Sequence, residues 1–443
     1  MKQKESPDPS FYNGGRKTHW AVVAFAMIGS CMSGVTFVSV PGMVGTSGFG
    51  YLQMCLGFFL GYLVIAFVLT PLYFKLNVVS IYQYLENRFG LASYKTGAWF
   101  FFISKMLGAS VRLFLVCLTL QLLVFGPLGL PFWLNVVCNV AVCFALTFRH
   151  GVKSVIGVDV VRTACMIVAV ALSIFFIGKD LGGIQIHERV FFFDDVNHPQ
   201  YFWKQLLGGL FTVIAMTGLD QDMMQRTLAC KDYRDSQKNL VVSSLLQTVV
   251  IAGFLCLGSL LYQFAAAHGI SETGDSLFPA VATGGLLPAV VGVFFIVGLL
   301  MSAYGAGGSA LTSLTTSFTV DILNKASEVK VRKTVHFAMA ALMAVTIVVF
   351  NALNSTSAID AVYKLASYTY GPILGLFAFG ILTKKPVKDK YVPLVALLAP
   401  AICLVLQLNS ERWFGGYKFS YELLLLNAAL TFLGLCLLIR RNK

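Results

Sequence analysis

Long apolar runs recur along the whole chain and constrain its fold more than any other feature. Each run reaches the length of about 17–25 residues that a helix needs to cross the hydrocarbon core of a bilayer. The runs lie near residues 20–44, 50–74, 96–126, 132–148, 154–178, 203–225, 239–266, 284–318, 333–353, 361–383, 391–408 and 421–439. Because no water in the bilayer can satisfy an open backbone, we predict an all-α membrane protein of about 12 transmembrane helices.

The composition agrees with a membrane protein. Hydrophobic residues make up 57% of the chain and charged residues 12%, which is more apolar surface than one soluble core could bury. The net charge of +13 arises from short clusters between the apolar runs, not from one basic face. We therefore expect membrane lipid around the chain and no nucleic acid partner.

The basic clusters predict the orientation in the membrane. With a cytoplasmic N-terminus, the clusters within 75–95, 149–153, 226–238, 325–333, 384–390 and 440–443 all fall inside. The positive-inside rule then predicts an integral multi-pass protein of the plasma (inner) membrane with both termini in the cytoplasm. Residues 1–18 are polar and lack the pattern of a signal peptide, so we expect a cytoplasmic N-terminal segment.

Two of the apolar runs are interrupted at matching places, five helices apart. In run 20–44 the interruption extends from Gly29 to Thr36 and includes Ser30, Ser33 and Gly34. In run 203–225, glycine and threonine recur between residues 212 and 218. Such paired interruptions are typical of secondary transporters built from inverted repeats, whose unwound helices bind solute or ion. Close packing of helices through small residues is the alternative interpretation.

Four motifs resemble the sodium:solute symporter family. One is the inner signature DQDMMQRTLACK, which starts at residue 220 and contains Asp220, Gln221, Gln225 and Arg226. The others are 39–42 with 81–90, then 318–322, and 368–372. The resemblance covers about residues 20–400. It implies a five-plus-five inverted-repeat core of the LeuT type, with broken helices 1 and 6, that imports a small organic solute with sodium by alternating access.

The resemblance also implies a division of the chain. The transport core would occupy residues 19–383, with repeat one at about 19–178 and repeat two at about 201–383. Residues 384–443 would form two peripheral transmembrane helices and a basic tail. Family members normally have a further helix ahead of the core, whereas residues 1–18 are polar here.

The family's main sodium site has a matching but altered set of positions. In the family it joins backbone carbonyls of the first core helix to a carbonyl and two adjacent hydroxyls of the eighth. The matching residues are Gly29, Met32, Ser302, Gly305 and Ala306. Because Gly305 and Ala306 lack hydroxyls, a hard cation would be short of oxygen ligands unless Ser309 or Thr312 contributed. We expect a degenerate sodium site.

Asp159 and Arg162 mark a second departure. They resemble the family's Thr-Asp-x-x-Gln motif, whose aspartate lies near an additional sodium position in some members, with Arg162 in place of the glutamine. Three residues apart, they share a helix face, and an unpaired charge at mid-membrane would cost about 2.5–3.5 kcal/mol or more. We expect a pair, which acts either as a structural ion pair or as a tethered guanidinium that replaces a lost cation.

Two more intramembrane cations bear on the solute. Arg112 lies well inside the third run and Lys364 near the start of the tenth. A buried cation without a local acid invites an anionic ligand, although an interhelical ion pair for Arg112 or a snorkelling position for Lys364 is an alternative. We predict a small polar solute, carboxylated or sugar-like. Its predicted contacts are Ser33, Thr36, Arg112, Thr212, Met216 and Lys364.

The sequence indicates no enzyme. The six histidines are scattered, no Gly-rich phosphate loop follows a strand, and no carboxylate pair suits acid–base catalysis. We expect no cofactor other than Na⁺ as a coupling ion. The alternatives left open are a sodium-independent or proton-coupled carrier, a uniporter, and a degenerate homologue that acts as a sensor. The sequence leaves the solute and the oligomeric state open.

Overall fold

The structure is a computed structural model of the 443-residue chain. It describes residues 9–32, 34–121, 125–186, 192–195, 198, 200–353, 356–413, 419 and 422–440. Within these ranges, the side chains of residues 9–10, 35, 119, 353 and 356–367 are not described.

The described part of the chain is helical and contains no β-structure beyond two isolated bridges. In chain order the helices are α1 Pro9–Asn13, α2 Trp20–Cys31, α3 Gly34–Gly42, α4 Val44–Ser47, α5 Tyr51–Lys75, α6 Gln83–Arg88, α7 Leu91–Leu120, α8 Phe132–Thr147, α9 Val152–Asp180, α10 Phe202–Gly218, α11 Gln221–Thr227, α12 Tyr233–His268, α13 Leu277–Thr283, α14 Ala289–Ile322, α15 Val329–Leu353, α16 Thr356–Leu382, α17 Val392–Leu408, α18 Ser410–Trp413 and α19 Glu422–Leu437. The prediction of an all-α protein is confirmed.

Within the described ranges, seven helical segments are long and apolar enough to cross a membrane, and up to nine if each of two bent pairs counts as one span. The bent pairs are α2 with α3, at 63°, and α10 with α11, at 74°. Three shorter apolar helices, in α8, the second half of α16 and α19, add to this set. The protein is therefore an integral multi-pass membrane protein.

Each predicted apolar run overlaps a described helix, but several bounds differ. Helix α7 begins at Leu91, where the hydropathy pattern predicted 96, and α12 begins at Tyr233, where it predicted 239. Run 284–318 corresponds to α14, which begins at Ala289 after the separate helix α13. The early starts include charged residues such as Lys95 and Lys238, because a helix can continue past the apolar layer into the polar interface.

The break between α10 and α11 has a local cause. Asp220 has an extended backbone (φ −102°, ψ 120°), and its Oδ1 accepts the N–H groups of Asp222 and Met223 at 2.8 and 3.2 Å. A carboxylate at this position caps the orphan N–H groups of a new helix. Asp220 therefore allows α11 to begin at Gln221, with only two residues between this start and the end of α10 at Gly218.

The carbonyls released at the break also find partners. The hydroxyl of Tyr73 donates to the Gly218 carbonyl and that of Tyr82 to the Leu219 carbonyl, both at 3.0 Å. Unpaired carbonyls in an apolar setting would cost free energy, so these two tyrosines stabilise the bend.

Glycines bring the central helices into close contact. A Cβ at Gly57 of α5 would lie 2.2 Å from the Leu206 carbonyl oxygen of α10, and one at Gly209 of α10 would lie 2.4 Å from the Met54 carbonyl oxygen. Side chains are therefore excluded along this contact. Elsewhere α9 packs along both α14 and α2, and α12 packs on α2, so that α2 lies between α9 and α12.

Part of the predicted polar N-terminal segment is buried. Phe11 and Tyr12 of α1 are 0% and 1% exposed, and the guanidinium of Arg332 lies 4.2 Å from the centre of the Phe11 ring. The space beside Gly151 is filled by the Phe11 carbonyl, whose oxygen would be 2.4 Å from a Cβ there. The second half of segment 1–18 is thus packed against the other helices. Burial of the two aromatic rings favours this packing although the segment as a whole is polar.

Candidate functional site

A cavity of about 320 Å³ lies between the bent helices and their neighbours. Its lining comes from α2, α3, α5, α7, α9, α10, α11, α12, α14 and α16. Tyr51, Phe58 and Tyr62 of α5 supply aromatic surface, while charged side chains of α7, α9 and α11 supply the polar part. A cavity of this volume, lined by both apolar and charged side chains, suits a small molecule.

Most of the residues predicted to contact a solute meet at this cavity. Thr36, Arg112, Thr212 and Met216 all line it. Ser33 lies outside the described residues, and for Lys364 the structure describes the helical backbone without the side chain. The structure therefore brings together four of the six predicted contacts.

Arg112 is a cation of this cavity for which the described residues supply no ion-pair partner. It is half-buried on α7 and lines the cavity. Among the described side chains, none forms an ion pair or a hydrogen bond with it. Its guanidinium can therefore bind an anionic group from the cavity.

Lys105 lies seven residues earlier on the same face of α7 and is paired instead. Its Nζ is 2.6 Å from Asp222 Oδ2 and 3.3 Å from Asp220 Oδ2. The hydroxyl of Tyr370 also donates to Asp220, and the hydroxyl of Ser309 donates to Asp222. Lys105 thus connects α7 with the start of α11.

Arg226 joins two acids from different helices. Its Nε lies 2.9 Å from Asp159 Oδ2 of α9, and its Nη1 lies 3.2 Å from Asp222 Oδ1, one turn earlier in α11. All three side chains are at most 8% exposed. The inner signature arginine therefore anchors α11 to α9.

Asp159 and Arg162 pair with each other across one helical turn. Arg162 Nη2 is 3.0 Å from Asp159 Oδ1, and the hydroxyl of Ser30 in α2 donates to Asp159 Oδ2 at 2.7 Å. Arg162 Nη1 donates to the backbone carbonyl of Ser302 in α14 at 3.3 Å. The guanidinium of Arg162 thus spans from α9 to α14, beside α2.

Two glycines make room for this guanidinium. A Cβ at Gly305 would lie 2.9 Å from Arg162 Nη1 and 2.9 Å from Asp159 Oδ1. A Cβ at Gly29 would lie 3.0 Å from Arg162 Nε and 2.3 Å from the Thr163 hydroxyl. Because real Cβ atoms do not approach so closely, Arg162 occupies the space that a hydroxyl-bearing side chain at 305 would need.

The remaining predicted cation-site residues have other surroundings. Met32 is buried, lines the cavity and donates its N–H to the Ile28 carbonyl. Ala306 also faces the cavity, and Ser309 bonds to Asp222. Of the eight predicted cation-site residues, Arg162 supplies the guanidinium, and Gly29, Asp159, Ser302 and Gly305 surround it. The other three, Met32, Ala306 and Ser309, lie along the cavity wall.

The two glutamines of the inner signature hold α11 in place. Gln221 accepts the N–H of Ile81 at 2.9 Å and donates to the Val79 carbonyl at 3.1 Å. Gln225 donates to the hydroxyl of Thr316 in α14 at 3.0 Å. These amides satisfy backbone and side-chain groups of neighbouring segments, so they position α11 and do not face the solute.

Lys105 and Tyr370 were not among the predicted site residues, and Ser30 was named only as part of the interruption in the first run. The spacing of Lys105 and Arg112, two helical turns apart, was a usable signal that both face one side. The partners of Lys105 and Tyr370 lie more than 100 residues away in sequence, so no local pattern could reveal these contacts.

Comparison with known proteins identifies relatives over most of the chain. The human sodium/iodide cotransporter is 25% identical over 84% of this chain, which spans 60% of the relative's length. The sodium/sialic acid symporter NanT of Aliivibrio fischeri is 26% identical over 87% of this chain and 79% of its own. The mouse sodium-coupled monocarboxylate transporter 1 is 26% identical over 90% of this chain and 67% of its own. All three are transporters and not enzymes.

Solved structures show the same fold. A substrate-bound, outward-open structure of a Na⁺-coupled sialic acid symporter matches with a TM-score of 0.79 at 18% identity, over 98% of this chain and 92% of that one. Mhp1, a nucleobase-cation-symport-1 family transporter, matches with a TM-score of 0.57 at 13% identity, over 98% and 94%. The fold is LeuT-like, as predicted. The family model for the sodium:solute symporter family matches residues 11–389, and the chain belongs to that family.

Proposed function

We propose that the protein is a secondary active transporter that moves a small carboxylated solute across the membrane by alternating access. The observation that carries this proposal is Arg112, a cavity cation with no acid partner among the described side chains. The relatives named for sialic acid, iodide and monocarboxylates support it, since these are all anions at neutral pH.

The charges around the cavity also favour a monoanion. Four cations contribute, namely Lys105, Arg112, Arg162 and Arg226, against the three carboxylates Asp159, Asp220 and Asp222. Each carboxylate has a cationic nitrogen within 3.3 Å. The described cluster therefore carries a net charge of +1 in a setting of low dielectric. One carboxylate on the solute would neutralise it.

The rest of the cavity suits a solute with both polar and apolar parts. Thr36 and Thr212 bring hydroxyl groups, while Phe58 and Met216 bring apolar surface. A carboxylated sugar or a short hydroxy acid has this combination. The contacts of Ser33 and Lys364 with the solute stay predictions.

Arg112→Gln tests the proposal. The variant keeps a polar side chain but loses the charge, so we expect binding of a carboxylated solute to weaken by about 1.5–3 kcal/mol, or roughly 10- to 150-fold. The probes are N-acetylneuraminate and lactate, with their methyl esters as uncharged analogues. Binding is measured by thermal shift and by uptake into proteoliposomes.

The matched control for this test is Lys179→Gln, an exposed cation at the end of α9 that lies away from the cavity. It should leave carboxylate binding unchanged. If Arg112→Gln binds the carboxylates as well as the unmodified protein does, Arg112 does not contact the solute.

Na⁺ fits the family as the coupling ion, but the residues between α2 and α14 do not fit a sodium site of the family type. Gly305 and Ala306 offer no hydroxyl, and the Ser302 carbonyl already accepts a hydrogen bond from Arg162. A sodium ion beside this guanidinium would be repelled at low dielectric. We propose that sodium coupling at this position is weakened or lost, and that the tethered guanidinium of Arg162 takes the place of the ion.

A further inference from the structure

The cations of the cavity are covalently attached, and this sets them apart from a coupling ion. A bound ion enters and leaves together with the solute, so the site can shed its charge before it returns empty. Arg112 and Arg162 cannot leave. Since the described cluster carries +1 without solute, this charge must remain in the cavity whenever the empty carrier changes its direction of access.

The loaded and the empty carrier then differ in their electrostatic cost. With one carboxylate bound, the described cluster is formally neutral when the carrier changes its direction of access. Without it, Arg112 faces a partly apolar cavity of about 320 Å³ as an uncompensated charge. An uncompensated charge at mid-membrane slows passage through such a state by about tenfold or more.

The contacts of Arg162 and Asp159 also join four helices, α2, α9, α11 and α14. Asp159 binds Ser30 of α2 and Arg226 of α11, while Arg162 binds the Ser302 carbonyl of α14. Each of these partners is itself part of the chain. In this proposal the solute is therefore the component whose arrival or departure changes the charge of the described cluster.

We propose that the protein works as an exchanger, which moves one carboxylated solute inward for each one that it moves outward. The inference rests on the proposed transport of carboxylated solutes and adds the mode of transport. Each cycle moves one negative charge in each direction, so the exchange is electroneutral. Net uptake requires the slow return of the positively charged empty carrier.

Counterflow in proteoliposomes tests the inference. The vesicles contain either buffer or an unlabelled carboxylate, lactate or N-acetylneuraminate, whichever the thermal-shift assay shows to bind, and uptake of the same labelled solute is followed. We expect internal solute to raise the initial rate by at least about tenfold, equally in sodium and in potassium medium. With the potential set by valinomycin and potassium, the exchange rate should not depend on voltage.

Two variants link this rate difference to the charge. Arg162→Gln makes the empty cluster neutral and the loaded one negative, so the ratio of exchange to net uptake should fall to about one or below. Lys179→Gln, outside the cluster, should keep the ratio of the unmodified protein. The voltage test on the unmodified protein does not depend on whether Arg162→Gln folds.

The outcomes separate the inference from the function on which it rests. Equal rates of net uptake and exchange in the unmodified protein, or an exchange rate that follows the membrane potential, would overturn the exchanger and leave carboxylate transport standing. Binding and transport of no carboxylate at all would overturn the proposed function, and the exchanger with it.

Discussion

Glycine at position 305 leaves the space into which the Arg162 guanidinium fits. The pair Asp159–Arg162 was predicted from its spacing of three residues, and the two charged groups lie 3.0 Å apart. The sequence could not predict that the guanidinium would also touch Gly29 and the Ser302 carbonyl, because these contacts join helices more than 100 residues apart. The absence of side chains at Gly29 and Gly305 therefore leaves room for the Arg162 guanidinium between α2 and α14.

The residue-scale prediction concerns sodium dependence. In the unmodified protein, substrate binding should be nearly the same when sodium replaces potassium at constant ionic strength. The triple variant Gly305→Ser, Ala306→Ser and Arg162→Gln removes the guanidinium and adds two hydroxyl ligands. We expect solute binding in this variant to become sodium-dependent. If one sodium ion and the solute share a coupling free energy of about 1.4 kcal/mol, sodium should raise the solute affinity by about tenfold.

The control for this prediction is Gly305→Ser alone. Its Cβ would lie 2.9 Å from Arg162 Nη1, so we expect a lower unfolding temperature and no sodium dependence, because the guanidinium is still present. If the unmodified protein binds its solute much more strongly in sodium than in potassium, the replacement of the ion by Arg162 is wrong and ordinary sodium symport stands.

At the scale of elements, the short helix α11 carries charged residues that pair with α7 and α9. Asp220, the residue before the helix, both caps it and pairs with Lys105, and the helix itself carries Asp222 and Arg226. The sequence indicated its importance, since the family signature covers it. The interruption predicted in run 203–225 ended at Gly218, whereas the helix break lies just after this residue. The difference arises because the cap at Asp220 sets the start of α11, and a hydropathy pattern does not detect helix caps.

The element-scale prediction compares two capping aspartates. Asp220→Ala removes the cap of α11 and the contacts with Lys105 and Tyr370, whereas Asp232→Ala removes the cap of α12, where Asp232 accepts the Asp235 N–H at 2.9 Å. Loss of a cap costs about 0.5–2 kcal/mol, and loss of a buried partner adds a further penalty of about 1–3 kcal/mol. The thermal unfolding temperature in detergent should therefore fall further for Asp220→Ala.

A third variant separates the two contributions at this helix. Asp220→Asn keeps an oxygen that can cap α11 but weakens the pair with Lys105, so its unfolding temperature should lie between those of the unmodified protein and Asp220→Ala. Equal unfolding temperatures for Asp220→Ala and Asp232→Ala would mean that the contacts with Lys105 and Tyr370 add nothing to stability.

At the scale of the whole molecule, the packing of helices suggests how the halves are related. Helix α5 packs on α10, and α12 packs on α2; likewise α9 packs on α14, and α16 packs on α7. If residues 19–178 and 201–383 are exchanged, the contact of α5 with α10 becomes that of α12 with α2. The contact of α9 with α14 likewise becomes that of α16 with α7. We propose these two segments as the inverted repeats, with 384–443 as the peripheral part. The hydropathy pattern could predict the helices themselves, but their partners depend on long-range contacts that it does not encode.

An inverted repeat predicts opposite membrane sides for corresponding loops. Lys75 ends α5 and Leu286 lies between α13 and α14, and both are exposed. In a background without the native cysteines, Lys75→Cys should react with a membrane-impermeant maleimide only after permeabilisation, because the basic loops face the cytoplasm. Leu286→Cys should react in intact cells, as should Lys179→Cys, and tags at both termini should be reached only from inside. Labelling of Lys75→Cys and Leu286→Cys from the same side would contradict the inverted arrangement, since a parallel repeat places these loops together.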